Sequence, residues 1–494
     1  MGYEPFHLGN KKQVFIDWGL VEPGYGLSFG GAKPESWELA SGIKLTVHKP
    51  RIDNDPIVTE EMPWEVGGSW TGFGIYHTLI EDDGLFRLFY DSGDMSGELD
   101  VDEDVGTQRV LAYAESTDGV NWTKPNLGKI TYRGSKENNL IFGLDATPGR
   151  DAHGAGVFID PSAPPDERYK LTTLGNYKGR FCIYGATSPD GITWNLIEKP
   201  LVPGYLSDVQ GSVRFDEESG KYVGYFRGWT AHEHGTSHAR RTITYTETED
   251  FANWPRPRHI VKPDMNDGAD TDIYTNSYNA WPGAADAHLM FPAMYHHSTD
   301  FTDLHMMISR DGQNWHRPLR EPIIAGGEPG TASEGGVYGG LGIVSLKPGE
   351  WSLPFTPRRA SHNTVFFDTE LPETGVVPAT WRQDGFISLD ADGQGSFTTM
   401  IIDFTGNHME LNVWTRLGGE VLVELTDASR DNRREHSPAI PGRTFADCDL
   451  ITGDHIARTV TWGSNSDLSD LAGKPIRARF KMRRAKLYAF QFPD

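Results

Sequence analysis

The chain has 494 residues, and because a single hydrophobic core rarely grows beyond about 300 residues, two domains are expected. The 56 glycines and 31 prolines, with 37% hydrophobic residues, are typical of many short strands and turns rather than long helices. The formal net charge of −23 argues against nucleic acid and anionic membranes as partners, and it fits a neutral or cationic ligand.

The sequence predicts neither a secretion signal nor a membrane span. Its opening residues, MGYEPFHLGNKKQVFID, contain no apolar stretch of signal-peptide length, and no run approaches about 18 apolar residues. Cys182 and Cys448 are too few for a disulfide scaffold. We therefore expect a cytoplasmic protein, and a secreted protein whose signal has been removed is the alternative.

A turn motif recurs along the chain. Four similar stretches, ESTDGVNW, TSPDGITW, TETEDFANW and SRDGQNW, contain Asp118, Asp190, Asp250 and Asp311. Their spacing is roughly 60 to 70 residues, a period typical of repeat architectures. The Asp-Gly pair predicts a tight turn, and the tryptophan that follows is expected to pack between neighbouring sheets. We interpret these aspartates as turn residues.

Each motif ends a unit of about four short strands, and strand-like runs precede it. The clearest runs are LFRLFYDS (85–92), RYKLTTLGNY (168–177), KYVGYFRGW (221–229) and HLMFPAMY (288–295). A fifth unit begins at SEGGVYGG without the Asp-Gly-Trp ending. Five four-stranded units predict a five-bladed β-propeller over residues 1–383, and the strand QVFID (13–17) is a candidate to complete the last blade.

The pattern changes after residue 383. Segments such as DGFISLDADG, HMELNVWT and GEVLVELTD alternate in hydrophobicity as antiparallel strands do. The proline-containing stretch ELPETGVVPATWRQ (370–383) marks the boundary. The expected fold class is all-β, with the propeller followed by a C-terminal β-sandwich over 384–494.

Carboxylates recur just before or at the start of the first strand of each unit. They are Glu65, Asp151, Asp208, Asp272 and Glu334. First strands line the channel of a propeller, so these acids are expected to converge there. Clustered carboxylates raise one another's pKa, which suits one to act as general acid and another as base or nucleophile in glycoside hydrolysis. The alternative for each is a turn-capping role.

Aromatic and polar residues near these acids are predicted to bind a sugar. They are Trp64, Trp70, Tyr76, Arg150, His153, Tyr274, Asn276, Trp281 and Tyr338. Aromatic faces would stack on sugar rings, and Arg150 would orient an acid or bind a hydroxyl.

No cofactor is predicted. The acidic run at 91–106 is rich in calcium-type ligands but lacks the EF-hand order, and HEHGTSH (232–238) lacks paired ligands for zinc. We interpret both as polar loops. The glycine-rich stretch 335–342 has no lysine after it, so it predicts close approach of backbones rather than a phosphate loop.

The repeated unit with acids at its first strand resembles the five-bladed glycoside hydrolases of families 32, 43 and 68. Arg150-Asp151 resembles the Arg-Asp-Pro element of family 32, with Ala152 in place of the proline. The Trp-Met-Asn-Asp-Pro-Asn signature of that family is absent. Nearly the whole chain is also similar to a group of bacterial family 32-like proteins, through QVFIDWGLVE, AYAESTDGVNWTKPNLG and the LYAFQF tail.

The resemblance implies a glycoside hydrolase acting on a furanoside, such as a fructo- or arabinofuranoside, or on a small oligosaccharide. By the Arg-Asp motif it implies Asp151 as stabiliser or pKa modulator, and by blade order it implies Glu65 as base or nucleophile and Asp208 as general acid, with Asp272 and Glu334 in reserve for any of these roles. The alternatives are a carbohydrate-binding propeller without chemistry, and a lyase or transferase on the same scaffold. The expected partner is a small carbohydrate, without nucleic acid or membrane.

Overall fold

The computed structural model describes residues 4–23, 40–53, 55–65, 73–93, 109–143, 152–230, 239–284, 286–363, 375–429 and 438–494. Within these ranges the chain is nearly all β-structure, with one short 3-10 helix at Pro165–Glu167. None of the helical structure in the described ranges is long and apolar enough to cross a membrane. The chain divides into two compact units, a larger one of Pro50–Asn279 and His288–Thr380, and a smaller one of Met1–Lys49, Ala280–Ala287 and Trp381–Asp494.

Four short strands come first in the chain. They are β1 (Phe6–His7), β2 (Gln13–Val14), β3 (Lys44–Val47) and β4 (Arg51–Ile52). The first three join the sheet of the smaller unit, whereas β4 belongs to the larger unit.

The next two sheets of the larger unit are four-stranded antiparallel meanders. The first contains β5 (His77–Asp82), β6 (Leu85–Gly93), β7 (Arg109–Ser116) and β8 (Leu140–Phe142). The second contains β9 (Gly156–Ile159), β10 (Tyr169–Tyr177), β11 (Arg180–Ser188) and β12 (Asn195–Leu196). Asp83 and Gly84 both have positive φ, 52° and 78°, which is the backbone twist of a two-residue hairpin turn between β5 and β6.

The third sheet repeats this order. It contains β13 (Ser212–Asp216), β14 (Lys221–Trp229), β15 (Arg241–Thr248) and β16 (Arg258–Val261). The predicted strands at 85–92, 168–177 and 221–229 are therefore confirmed to within a residue or so at each end.

The fourth repeat is divided into two three-stranded sheets. Its strands are β17 (Thr271–Ile273), β18 (Tyr278–Ala280), β19 (His288–Met290), β20 (Ala293–His296), β21 (Phe301–Leu304) and β22 (Met307–Ser309). The run 288–295, predicted as one strand, is two strands separated by Phe291 and Pro292. Proline has no N–H to donate to a ladder, so pairing breaks there.

The fifth blade contains β23 (Gly336–Gly339), β24 (Glu350–Arg358), β25 (Val377–Arg382) and, at its outer edge, β4. The segment 13–17 was predicted to complete this blade. That prediction is wrong, because Gln13 and Val14 pair with the last strand of the smaller unit. Arg51–Ile52 takes the outer position instead, through the pairs Ala379 with Ile52 and Thr380 with Arg51.

Consecutive sheets of the larger unit contact one another, and the fifth contacts the first, which closes a ring of five blades. Where the fifth blade meets the first, the Leu79 N–H donates to the Leu341 carbonyl (2.8 Å), and the Leu341 N–H donates to the His77 carbonyl (2.9 Å). Gly342 has a φ of +94°, and a β-carbon there would overlap the Leu79 carbonyl. The predicted five-bladed propeller is confirmed, as is the close backbone approach predicted for 335–342.

The Asp-Gly-Trp motifs are turns, as predicted. Asp118 Oδ1 accepts hydrogen bonds from the N–H groups of Val120 (2.8 Å) and Asn121 (2.7 Å), while Ser116 Oγ accepts one from Gly119 N–H (2.9 Å). The same arrangement recurs around Asp190 and Asp311.

The motif tryptophans pack between neighbouring sheets, as predicted. Trp254 contacts Tyr222 and Phe226 of the third blade, in a core that also holds Phe158 of the second. Trp194 lies in the core between the first and second blades.

The smaller unit is a β-sandwich. Its remaining strands are β26 (Ile387–Thr398), β27 (Ile402–Asp403), β28 (Glu410–Asp427), β29 (Asp454–Thr459) and β30 (Ile476–Gln491). The long β30 pairs with both β26 and β28. Register shifts in both ladders allow the long strands to bend, and their inner faces enclose one apolar core in which Phe397 stacks on Phe480 at 4.5 Å.

Candidate active site

The first strands of three blades begin at one place in the larger unit. Tyr76, His153 and Asp208 each lie just before a first strand, and they contact one another. The Nε2–H of His153 donates to the Asp208 carbonyl (2.7 Å), and the Tyr76 ring lies edge-on to the His153 ring with centroids 5.5 Å apart. Residues at the starts of first strands were predicted to converge, and these three are in contact with one another.

Arg227, on β14, holds Asp208 in place. Its Nη1 donates to Asp208 Oδ1 (2.6 Å), while its Nε and Nη2 donate to the Tyr274 carbonyl (3.2 and 2.8 Å). The Arg227 side chain is only 1% exposed, whereas that of Asp208 is 37% exposed. A buried cation thus fixes a carboxylate that still reaches solvent.

The ion pair decides the protonation state of Asp208. Burial is the largest single influence and acts to raise the pKa of this carboxyl, but the charge and hydrogen bond of Arg227, with further contributions from His153 and Arg241, together outweigh it, and the pKa lies below its usual value. Burial, with the charge of Arg109, lowers the pKa of His153 to about 3. At neutral pH the site therefore presents an ionised Asp208 beside a neutral imidazole.

Asp272 occupies a more enclosed position nearby. Its side chain is fully buried and accepts hydrogen bonds from Arg241 Nη1 (3.0 Å), His297 Nε2 (3.0 Å) and Arg240 Nη1 (3.5 Å). These contacts make it an anchor for cationic side chains.

Aromatic rings connect the two carboxylates. The guanidinium carbon of Arg227 lies 3.9 Å from the centroid of the Tyr274 ring, and that of Arg241 lies 5.2 Å from the same centroid. The His362 ring is 4.6 Å from the Tyr274 ring, and its Nδ1 lies 2.7 Å from the Tyr338 hydroxyl. We call this set the arginine–tyrosine cluster; its members are Tyr76, His153, Asp208, Arg227, Arg241, Asp272, Tyr274, Tyr295, Tyr338, Arg358 and His362.

Glu65 lies in different surroundings. Its carboxylate accepts hydrogen bonds from Tyr90 (2.6 Å), Lys124 (2.8 Å) and the N–H groups of Glu61 (2.8 Å) and Met62 (2.9 Å), and its side chain is fully buried. Among the contacts of the described residues, none joins Glu65 to the arginine–tyrosine cluster.

The fifth predicted acid, Glu334, is exposed, and it accepts a hydrogen bond from Gly330 N–H (2.9 Å). None of its contacts within the described part of the chain reaches the arginine–tyrosine cluster.

The predicted sugar-binding residues divide into two groups. Tyr76, His153, Tyr274 and Tyr338 belong to the arginine–tyrosine cluster. Trp64, Asn276 and Trp281 are buried: Trp64 donates to Asn139 (3.0 Å), and Asn276 donates to the Tyr225 carbonyl (3.2 Å). Trp281 lies in the smaller unit and donates to Asp384 (3.2 Å).

Other predictions fall outside the described residues. They concern Trp70, Arg150, Asp151, most of the acidic run 91–106, and HEHGTSH at 232–238. In the part of the chain that is described, no group of three or more His, Cys, Asp or Glu side chains could hold a metal ion.

The arginines of the cluster were missed from the sequence. Arg227 and Arg241 lie on second and third strands, where no local motif marks them. The alternation of KYVGYFRGW puts Arg227 and Trp229 on one face of β14, but it does not identify which face meets the channel. His362 lies four residues after the end of β24, and no sequence motif marks it.

Comparison with known proteins leaves the family open. No protein-family profile matches the chain. A protein of Mycobacterium tuberculosis described as uncharacterized is 25% identical over 201 residues, which is 39% of this chain and 50% of that protein. The chain is therefore matched to about half the length of this curated relative.

Solved structures similar to this chain include several carbohydrate-active proteins. One is named a glycoside hydrolase (14% identity, TM-score 0.46, 67% of this chain and 92% of that chain). Another is a glycosyl hydrolase from Bacteroides ovatus (14%, 0.43, 67% and 93%). A third is a β-1,2-mannobiose phosphorylase from Listeria innocua (11%, 0.45, 68% and 97%). Similarities this distant do not identify an activity.

Proposed function

We propose that the chain is an enzyme that cleaves glycosidic bonds in the channel of its propeller. The observation that carries the proposal is Asp208, an ionised carboxylate that reaches solvent beside Tyr76. An ionised carboxylate stabilises the positive charge that develops at the anomeric carbon. The resemblance of the repeats to five-bladed glycoside hydrolases supports the same function.

The electrostatics favour one role for Asp208 over another. A general acid at neutral pH needs a raised pKa, whereas the pKa of Asp208 is lowered. We therefore assign Asp208 the role of base, nucleophile or charge stabiliser, in place of the general acid inferred from blade order. Asp151 is proposed as the second carboxylate, because it lies two positions before His153, which contacts Asp208.

The proposed substrate is a furanoside or a small oligosaccharide. Neutral imidazoles at His153 and His362 would exchange hydrogen bonds with sugar hydroxyls, since both pKa values lie near 3.

The test compares two aspartates of the same blade on a panel of aryl furanosides and pyranosides. Asp208→Asn is expected to abolish turnover. Asp216→Asn is the matched control, because Asp216 also pairs with an arginine, Arg214 at 2.9 Å, but lies at the other end of β13. Loss of turnover in both variants, or in neither, would refute the assignment of Asp208.

A binding protein without chemistry is the second candidate. It is favoured by the ion pairing of both Asp208 and Asp272 with arginines, which is typical of anchoring carboxylates. Calorimetry with sugars that wild type does not cleave tests it. Binding that persists in Asp208→Asn while no glycoside of the panel is hydrolysed would favour this candidate.

A further inference from the structure

Arg227 and Arg241 project from the same face of the third blade. Trp229 is paired with Arg241 across β14 and β15, and Arg227 is two residues from Trp229. Side chains two residues apart on a strand share a face, so the two arginines are diagonal neighbours. The guanidinium carbon of Arg241 lies 5.0 Å from the Trp229 ring and that of Arg227 lies 5.8 Å from it.

A third arginine, Arg358 on β24 of the fifth blade, belongs to the same cluster. Arg358 is paired with Gly336, and Tyr338 is two residues further along β23, so the side chains of Arg358 and Tyr338 share one face of this sheet. The Arg358 side chain is buried.

The three positive charges meet at His362. Burial is the largest cause that lowers the pKa of His362, to about 3, and Arg241, Arg227 and Arg358 each lower it further. Asp300 acts more weakly in the opposite direction. Three arginines therefore act on this one imidazole, although the chain as a whole carries a charge of −23.

Arg241 is the arginine of the three that reaches solvent. Its side chain is 20% exposed, and one of its N–H groups donates to Asp272. Its Nε–H has no acceptor among the described residues. A guanidinium has five N–H donors in a planar fork, a geometry that matches the two oxygens of a carboxylate or phosphate.

We propose that Arg241, reinforced by the buried Arg227 and Arg358, binds an oxyanion group of the ligand that enters the arginine–tyrosine cluster. The substrate class is then an acidic or phosphorylated sugar, or a sugar that binds together with phosphate. The sugar part of this inference rests on the proposed function, whereas oxyanion binding does not.

The experiment measures binding to the full-length chain by calorimetry with three probes: D-glucuronate, inorganic phosphate and neutral D-glucose. We expect at least one of the two oxyanions to bind more tightly than glucose, and its affinity to fall as NaCl is added. Binding of glucuronate alone identifies a carboxylate ligand, and binding of phosphate alone identifies a phosphate ligand.

Variants connect this binding to Arg241. Arg241→Gln should weaken it by about tenfold to a hundredfold, the effect of losing charge-assisted hydrogen bonds. Arg241→Lys should fall between wild type and Arg241→Gln, and it serves as the test should the glutamine variant not fold. Arg240→Gln is the matched control: Arg240 also contacts Asp272 but is 42% exposed and is not stacked on Tyr274 in any described contact.

Asp208→Asn separates this inference from the proposed function. The variant should bind the oxyanion as tightly as wild type or more tightly, because a negative charge beside Arg227 is removed. Equal weakness of both oxyanions and glucose in wild type, or equal binding by Arg241→Gln and Arg240→Gln, would overturn the inference. Cleavage of neutral glycosides without oxyanion binding would overturn it and leave the proposed function standing.

Discussion

Glu65 and Asp208 were both predicted to precede a first strand, yet they lie in opposite surroundings: Glu65 lies 12 residues before β5, whereas Asp208 lies 4 residues before β13. Each is paired with one cation, Lys124 in the first case and Arg227 in the second. Glu65 is sealed by four donors and has no exposed side-chain surface, whereas Asp208 keeps 37% of its side chain exposed. The difference teaches that an acid upstream of a first strand in the sequence need not be accessible to a substrate. The surrounding strands decide whether the acid is an anchor or a reacting group.

The largest expected effect is a loss of catalysis when the exposed carboxylate, Asp208, is replaced. Asp208→Asn should lower kcat/KM for the best aryl glycoside by about a thousandfold or more, since it removes an ionised group next to the reacting carbon. Circular dichroism should stay that of wild type, because asparagine still accepts a hydrogen bond from Arg227. A variant that retains more than a tenth of wild-type activity would make Asp208 an anchor like Glu65.

The largest expected effect on stability comes from replacing the buried carboxylate, Glu65. Glu65→Gln leaves Lys124 in a nearly closed site with only the exposed Glu61, 3.7 Å away, as its anion, and breaking a buried ion pair costs about 3–5 kcal/mol. Urea unfolding measures this loss. The double variant Glu65→Gln/Lys124→Met should recover a large part of it, because the uncompensated charge is gone.

The double variant also tests the catalytic role predicted for Glu65 from the sequence. Recovered stability together with recovered kcat/KM would show that Glu65 acts only as an anchor. Recovered stability without activity would give it a part in the reaction.

The histidines of the open site give it a pH dependence. The folded pKa of His153, about 3, lies below the unfolded value of about 6.5, so the unfolded chain binds more protons between these values and stability falls as the pH falls through that window. Between pH 7 and pH 5 one such histidine accounts for a loss of about 2 kcal/mol. Unfolding of His153→Gln should show a pH dependence smaller by that amount.

The smallest effect is expected at a third kind of acid, the exposed turn aspartate. Asp190→Ala removes a carboxylate that accepts N–H groups of Ile192 and Thr193, and exposed bonds of this kind are worth about 1 kcal/mol. We expect that loss in urea unfolding and an unchanged kcat/KM. A fall in activity larger than the fall in stability would give the motif a part in the site.

Short-range chemistry made much of the fold predictable. Asp-Gly turns and alternating strands depend on neighbours in the chain, so the repeat, the five blades and the sandwich followed from pattern alone. The run 288–295 was misread because the apolar pattern continues through Pro292, although a proline cannot pair there. The outer strand of the fifth blade was misassigned because Arg51–Ile52 is two residues long and carries no pattern.

The sequence by itself determined the repeat, the turn role of its aspartates and the position of Tyr76, His153 and Asp208 at the starts of first strands. Only the tertiary structure decided which carboxylate reaches solvent and which is sealed, because exposure depends on side chains contributed by distant strands. It also brought Arg227, Arg241 and Arg358 together around His362 in a chain of charge −23. Net charge sums over the whole surface, whereas the local potential is governed by the nearest charges.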